Sequence, residues 1–513
     1  MTLDSSRNPT RADGGEAETA SGADDVVIDP WGSSTVDDYD RLFADFGIGR
    51  FADILPTVPD PHYLMRRGVI FGHRGYERVI EAMHAGERFA ALSGFMPTGD
   101  PHIGHKLVFD ELIWHQERGG ETYALIADLE AHSARGKTWD EIDTHSRDYI
   151  LSLLALGYDP DEGELYRQSS NREVQDLAFE LGAKANFSEL QAIYGFDGET
   201  DVSHMQSVIT QMGDILYPQR DGPVPTVIPV GPDQDPHVRL SRDLASRMRY
   251  FGVTEAYASF ELEPAERVVV EQAFDALSES EVRCIDAAEW LRNHAAEEPG
   301  AEGAIRKCEA GGREPLRPRV RILDRNATED AFEALIDRVE GEKRVYDAHV
   351  DTFDLTAAEA DDLAREVEVE HGGYGFLPPS SIYHRFMTGL TGGKMSSSVP
   401  SSHISLLDDP DVGYEKVRDA TTGGRETAAL QRELGGEADK CPVYELYAYL
   451  LAGDDDEFAT RVYDECVGGD RLCGDCKEQA AELMKSFLEE HQDRRAELED
   501  RIDEIDFTFE SER

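Results

Sequence analysis

The chain has 513 residues, 105 acidic against 51 basic, for a formal net charge of −54. A hydrophobic content of 40 % over this length can bury a core in each of about three domains, which excludes wholesale disorder. Apolar runs such as Ile150 to Leu156 are far shorter than the ~18–20 residues that span a bilayer, and no basic-then-apolar leader opens the sequence, so a cytoplasmic chain with no membrane partner is expected.

Only ten of the 51 basic residues are Lys, and the acid excess runs along the whole chain. That is the balance of a protein adapted to molar salt, where the Debye length falls to about 3 Å and self-repulsion is screened. Net charge is then a poor guide to partners, although phosphate backbones are ordinarily bound through Lys and Arg.

In chain order, residues 1–26 are rich in Ser, Gly, Ala and Asp and read as a disordered acidic tail. An N-terminal extension follows at 27–88, with Trp31, Tyr39, Leu42, Phe43 and Phe46 as its small core. Strand and helix signals then alternate: strand Phe89 to Leu92, helix Ile103 to Glu117, strand Tyr123 to Ala127 and, later, strand Thr226 to Val230. Short buried strands alternating with helices predict an α/β fold, a Rossmann-like parallel sheet over 89–251.

Residues 252–371 read as an inserted, charged, helix-prone block with one locally basic stretch, Arg306 to Arg325. That stretch either meets a polyanion or pairs with the surrounding acids. The α/β texture resumes over 372–410, at Tyr374 to Leu377, and 411–513 is helical, ending in an amphipathic segment through Leu483, Phe487, Leu488, Leu498, Ile502 and Ile505. Six Cys are too few for a disulfide framework. Cys473 and Cys476 form a CxxC, but no second pair follows at ligand spacing, so two helix-borne thiols are expected there and no tightly bound metal.

Two motifs carry chemistry. Pro97-Thr98-Gly99-Asp100-Pro101-His102-Ile103-Gly104-His105 lies between a strand and a helix, where free N–H groups and a positive dipole end face a phosphate. His102 and His105 share the first turn and can donate to phosphate oxygens as charge builds. Gly104 between them leaves room for a flat adenine. The second motif, Gly392-Gly393-Lys394-Met395-Ser396-Ser397-Ser398, is a flexible loop whose cation and hydroxyls can close over a triphosphate.

Together these resemble the HIGH and KMSKS signatures of class I aminoacyl-tRNA synthetases, with Ser397 where many members have a second Lys. Asp29-Pro30-Trp31, Asp38-Tyr39-Asp40, Arg66-Arg67-Gly68 and Gly72-His73-Arg74 resemble the N-terminal extension of archaeal and eukaryotic tryptophanyl-tRNA synthetases. Asp233-Gln234-Asp235-Pro236-His237, Gly423-Gly424-Arg425 and Glu490 to Arg495 continue the resemblance; the block 252–371 has no counterpart in that pattern.

The resemblance implies tryptophan activation by ATP, used as a substrate with Mg²⁺, followed by transfer to tRNA by a homodimer whose C-terminal helical domain recognises the anticodon. By position, His102, His105, Lys394 and Ser396 would be catalytic. Thr98, Gly104, Asp233, Gln234 and Met395 would join His105 and Lys394 in holding ATP. Gln211 would take the tryptophan α-amino group, and Glu130 or Asp214 the indole N–H, which is only a donor. Leu92 stands where those relatives have Tyr. Tyrosyl-tRNA synthetase is the nearest alternative, since the Gln211/Asp214 spacing is tyrosyl-like, although Ser207 stands where that family has Tyr. A non-aminoacylating paralogue that binds nucleotide or tRNA and a small-molecule adenylyltransferase are the other readings.

Overall fold

The structure is a computed structural model that describes residues 39–256, 262–274, 286–310, 318–393, 395, 399–499, 504–505 and 507–508. The tail at 1–26, the Asp29-Pro30-Trp31 motif, Lys394 and Ser396 to Ser398 lie outside the described residues.

The centre is a seven-stranded sheet in the order β1-β2-β11-β6-β3-β4-β5. Its strands are β1 (Gly49–Arg50), β2 (Ile70–Arg74), β3 (Ala90–Phe95), β4 (Glu121–Ile126), β5 (Gly163–Arg167), β6 (Thr226–Val230) and β11 (Ser380–His384). From β11 to β5 all neighbours are parallel, and β2 and β1 close one edge antiparallel. Alternate residues feed two cores: Ala91, Phe95, Ala124, Ile126 and Val227 enter one, while Ala90, Leu92, Tyr123, Leu125 and Ile228 enter the other. The strand period of two produces this division, and burial on both faces makes the strands near-continuously apolar.

β3 runs outward to β4 and β5, and the chain then returns to form β6 on the other side of β3. The two strands pair only at Ala90 with Thr226 and Ala91 with Val227. Beyond that point they part, and Pro229, which has no N–H to give a neighbour, stands in the diverging stretch. An open α/β sheet binds its ligands at such a reversal of strand order, outside the carboxyl ends.

The block 252–371, expected to be helix-prone, contains a second sheet. β7 (Phe251–Ala256), β8 (Arg319–Asp324), β10 (His349–Thr352) and β9 (Lys343–Val345) pair antiparallel in the order β7-β8-β10-β9. Helices Glu329–Arg338 and Ala357–Glu370 cover it, and helices Pro264–Phe274, Ala287–His294 and Ala301–Ala310 form a separate small core. Two Arg of the basic stretch point inward: Arg321 Nε donates to Asp351 Oδ1 at 2.7 Å and Arg319 Nη1 to Asp351 Oδ2 at 3.3 Å, all three side chains being buried. They act as internal partners of one acid, and Lys307 likewise pairs with Glu266.

The expected strand at Phe89 to Leu92 sits at Ala90–Phe95, and Tyr374 to Leu377 is irregular, the strand forming a few residues later as β11. The long helix Cys473–Glu499 packs on Trp139–Ala155 and Pro410–Asp419. Arg495 fastens it by donating to Asp148 O at 2.8 Å and Asp148 Oδ1 at 2.9 Å.

Candidate active site

Where β3 and β6 part, a cavity of about 410 Å³ opens. Its lining comes from the ends of both strands, the first turn of helix Ile103–Glu117, helix Asp128–Arg135, helix Val202–Leu216, the turn Pro232–Gln234 and the segment after β11.

One wall is built by the histidine motif. His102 is the N-cap of helix Ile103–Glu117, and its Nδ1 accepts from Gly104 N at 3.1 Å, while His105 Nδ1 accepts from His102 N at 3.1 Å. Each ring thus satisfies a main-chain donor the helix leaves free. With both Nδ1 atoms accepting, the proton of each neutral ring sits on Nε2. The His105 Nε2–H then donates to Tyr149 Oη at 3.2 Å. Burial, and secondarily the neighbouring histidines, push both pKa values down, His105 to about 4 and His102 well below its ordinary value. At neutral pH the pair are uncharged donors.

Gly104 is demanded by this packing: a Cβ there would meet the His102 ring at 2.9 Å and Met395 Sδ at 3.5 Å. The segment after the second motif is bonded directly to the first, with Ile103 N donating to Ile404 O at 3.1 Å and Leu406 N to Pro101 O at 2.9 Å. Leu390 N donates to Ser402 O at 2.9 Å, closing the base of the loop that holds Gly392 and Gly393, both at positive φ (83° and 80°).

The opposite wall is carboxylate-rich. Asp214 is buried, receiving the Tyr166 hydroxyl at 3.0 Å on Oδ1 and the Gln168 amide at 2.6 Å on Oδ2. Glu130 faces the cavity with no hydrogen-bond partner among the described residues. Burial pushes each acid up to about 7, opposed at Asp214 by those two hydrogen bonds and at Glu130 by Arg135. The turn that aims Glu130 is fixed behind it, where buried Asp128 accepts from Arg167 Nε and Ser169 N, both at 3.0 Å.

At the end of β6, Asp233 and Gln234 enter the lining, and Gln211 Nε2 donates to Gln234 Oε1 at 3.4 Å. Buried Asp235 ties this turn to the N-terminal extension, accepting from Arg74 Nη2 at 2.8 Å and the Tyr383 hydroxyl at 2.5 Å.

The structure therefore brings His102, Gly104, His105, Glu130, Gln211, Asp214, Asp233, Gln234 and Met395 around one cavity. Thr98 lies on the turn after β3, outside the lining, and Ser207 bonds to Ser133 Oγ at 3.1 Å, also outside it. Sequence reasoning missed Tyr149, His403 and His384. The His403 ring lies 5.0 Å from that of His102, and His384 lines the cavity with its Nδ1 3.7 Å from the fully buried Glu111 carboxylate. No spacing signal marks them, because each arrives from a separate element. Among the described residues one group is metal-capable, Asp100, His145 and Asp148; Asp148 already takes Arg495, and none of the three lines the cavity.

The model of the family "tRNA synthetases class I (W and Y)" matches residues 84–263 and 356–489. The chain belongs to this family of class I tRNA synthetases. It is 66 % identical over 508 residues to tryptophan--tRNA ligase 1 of Halobacterium salinarum, covering 97 % of this chain and 99 % of that one. It is 44 % identical to the tryptophan--tRNA ligase of Methanosarcina acetivorans, covering 94 % and 98 %. The crystal structure of tryptophanyl-tRNA synthetase from Aeropyrum pernix K1 superposes with a TM-score of 0.63 at 32 % identity, covering 94 % and 99 %. The family model passes over residues 264–355, most of the block 252–371.

Proposed function

We infer that the chain activates L-tryptophan with ATP to the enzyme-bound adenylate, releasing pyrophosphate, and transfers tryptophan to the 3′-terminal adenosine of its tRNA. The observation that carries this is the single cavity at the β3/β6 divergence, with neutral histidine donors on one wall and carboxylates on the other. The choice of tryptophan over tyrosine rests on the named relatives, at up to 66 % identity.

The tryptophan carboxylate attacks the α-phosphorus in line, forming the new P–O bond as the bond to pyrophosphate breaks, so no protein nucleophile is needed. MgATP enters as a substrate. His102 offers its Nε2–H to oxygens that gain charge in the transition state, without bringing a positive charge of its own, and His105, whose Nε2–H goes to Tyr149, holds the His102 main chain in place. Gln211 takes the tryptophan α-amino group. Glu130 accepts the indole N–H, because Asp214 already receives Tyr166 and Gln168 and serves to position them. Lys394 and Ser396 act on the phosphates from the loop. The chain works as a cytoplasmic homodimer.

Amino-acid-dependent ATP/pyrophosphate exchange in molar KCl, each amino acid tested in turn, checks this reading. Exchange with tryptophan is expected; exchange with tyrosine alone, or with none, overturns it.

A further inference from the structure

The helix Cys473–Glu499 extends beyond the helical region and lies against the elements that carry the histidine motif. Phe487, His491 and Arg495, spaced by four, form one stripe along it. Lys106, which directly follows His105, places its Nζ 5.8 Å from the Phe487 ring centroid. His491 stacks on Phe487 with ring centroids 6.0 Å apart and is buried. Burial, and secondarily the Arg495, Lys106 and Arg494 cations, push His491 down to about 3. It is neutral at working pH, and Arg495 supplies the charge of the stripe.

Arg495 grips helix Trp139–Ala155 at two successive turns. Its Nη1 donates to Asp148 O at 2.8 Å and to Ser152 Oγ at 2.6 Å, and its Nη2 to Asp148 Oδ1 at 2.9 Å. This planar fork holds main chain and side chain together, a geometry an ammonium group does not reproduce. The next residue, Tyr149, turns into the core: its ring stacks on Phe95 at 6.0 Å and meets Phe109 edge-on at 6.4 Å, and its hydroxyl takes the His105 Nε2–H at 3.2 Å. His105 in turn accepts from His102 N. A continuous series of contacts thus joins Arg495 to His102 through Asp148, Tyr149 and His105. His145 of the same helix faces Asp100, two residues before His102, at 3.4 Å, so the helix holds the motif at a second point.

We propose that Arg495 is a positioning residue for adenylate formation: it fixes helix Trp139–Ala155, so that Tyr149 holds His105 and His105 holds His102 where the α-phosphate gains charge. The proposal rests on the proposed function, in which the His102 Nε2–H serves those oxygens. Arg495 touches no substrate. It acts by preventing a displacement, and a shift of ~1 Å at a reacting group costs about 10²-fold in rate. The C-terminal helix then takes part in the first step, although no residue of it lines the 410 Å³ cavity.

The test is tryptophan-dependent ATP/pyrophosphate exchange by the full chain in molar KCl, with kcat and KM measured for R495A, R495K, Y149F, R495A/Y149F and R147A. Arg147 pairs with Glu499 at 2.8 Å on the exposed rim of the same two helices and controls for loosened packing. R495A is expected to lower kcat by about 10- to 100-fold with the tryptophan KM unchanged, R495K to recover part of the loss, and R147A to match the wild type. Losses along one path do not add, so R495A/Y149F is expected to be no slower than the slower single variant. A wild-type kcat in R495A or Y149F, equal losses in R495A and R147A, or a double variant slowed by the product of the single effects would each overturn the proposal. Should R495A fail to fold, R495K and Y149F close the same cycle. The nitrogen-15 resonances of the His105 ring separate this proposal from the reading of the site. They are expected to move in R495A even if the chain fails to exchange with tryptophan, a failure that would overturn the proposed function alone; unmoved resonances would overturn the positioning role.

Discussion

Gly104→Ala separates the catalytic use of the histidine motif from its structural use. A Cβ at this position meets the His102 ring at 2.9 and 3.0 Å, so the ring must swing away and the Gly104 N to His102 Nδ1 bond is lost. Losing that cap costs ~0.5–2 kcal/mol. Alanine in place of glycine near the start of a helix returns ~0.5–1 kcal/mol, so net stability changes by only about 1 kcal/mol and thermal unfolding moves by a few degrees. In the proposed function the Nε2–H of His102 serves the phosphate oxygens, and a ring that swings away would no longer reach them. Displacing one such donor costs about 10²–10³ in kcat, roughly 3–4 kcal/mol. The assay is tryptophan-dependent ATP/pyrophosphate exchange in molar KCl, with kcat and KM measured beside a melting curve. A fall in kcat at nearly unchanged Tm is expected. An unchanged kcat, or a loss of activity that merely follows a collapse in Tm, would refute the reasoning.

Three further outcomes follow from the geometry. Burial raises Glu130 and Asp214 to about 7, and an ionised carboxylate accepts the indole N–H more strongly than a protonated one, so tryptophan affinity is expected to weaken as pH falls through 7; Glu130→Gln should remove most of that dependence in a titration of KM against pH. Because the folded pKa values lie above unfolded ones near 4, the apo fold binds more protons between pH 4 and 7 and these two groups make it more stable as pH falls, opposite in sign to the binding effect and readable in melts without tryptophan. Asp351→Ala removes the buried carboxylate that Arg319 and Arg321 share; a loss of up to about 3–5 kcal/mol in the unfolding of the second sheet is expected, whereas a change in tRNA affinity at matched folding would favour the polyanion reading of that stretch. With a net charge of −54, self-repulsion is screened only at high ionic strength, so near-UV circular dichroism should collapse on dilution from molar KCl to dilute buffer and return with salt.

Local motifs were legible in the sequence where one element carries all the information. The helix Ile103–Glu117 and the strand Thr226 to Val230 fall where the sequence places them, because cap, period and flanking breakers are contiguous. The four strands of the block 252–371 were masked by their charge: Arg319 and Arg321 do pair with an acid, but inside the sheet, where they share the buried Asp351. Tyr149, His384 and His403 were invisible because each comes from a different part of the chain, His384 to the cavity lining and the other two to the rings of His105 and His102.

The contact between the two motifs has a consequence for how the cavity works. The loop after β11 is closed at its base by the Leu390 to Ser402 bond, and immediately beyond it Ile404 and Leu406 are bonded to Ile103 and Pro101. His403, between these anchors, places its ring beside that of His102, and Met395 lies against the position where Gly104 lacks a side chain. A loop that turned at its glycines would take Met395 away from Gly104, while the anchored segment would keep His102 in register. Gly393→Ala, which forces a φ of 80° on a residue with a side chain, should lower exchange kcat more than tryptophan KM; an effect on KM alone would mean that the loop does not move in the chemical step.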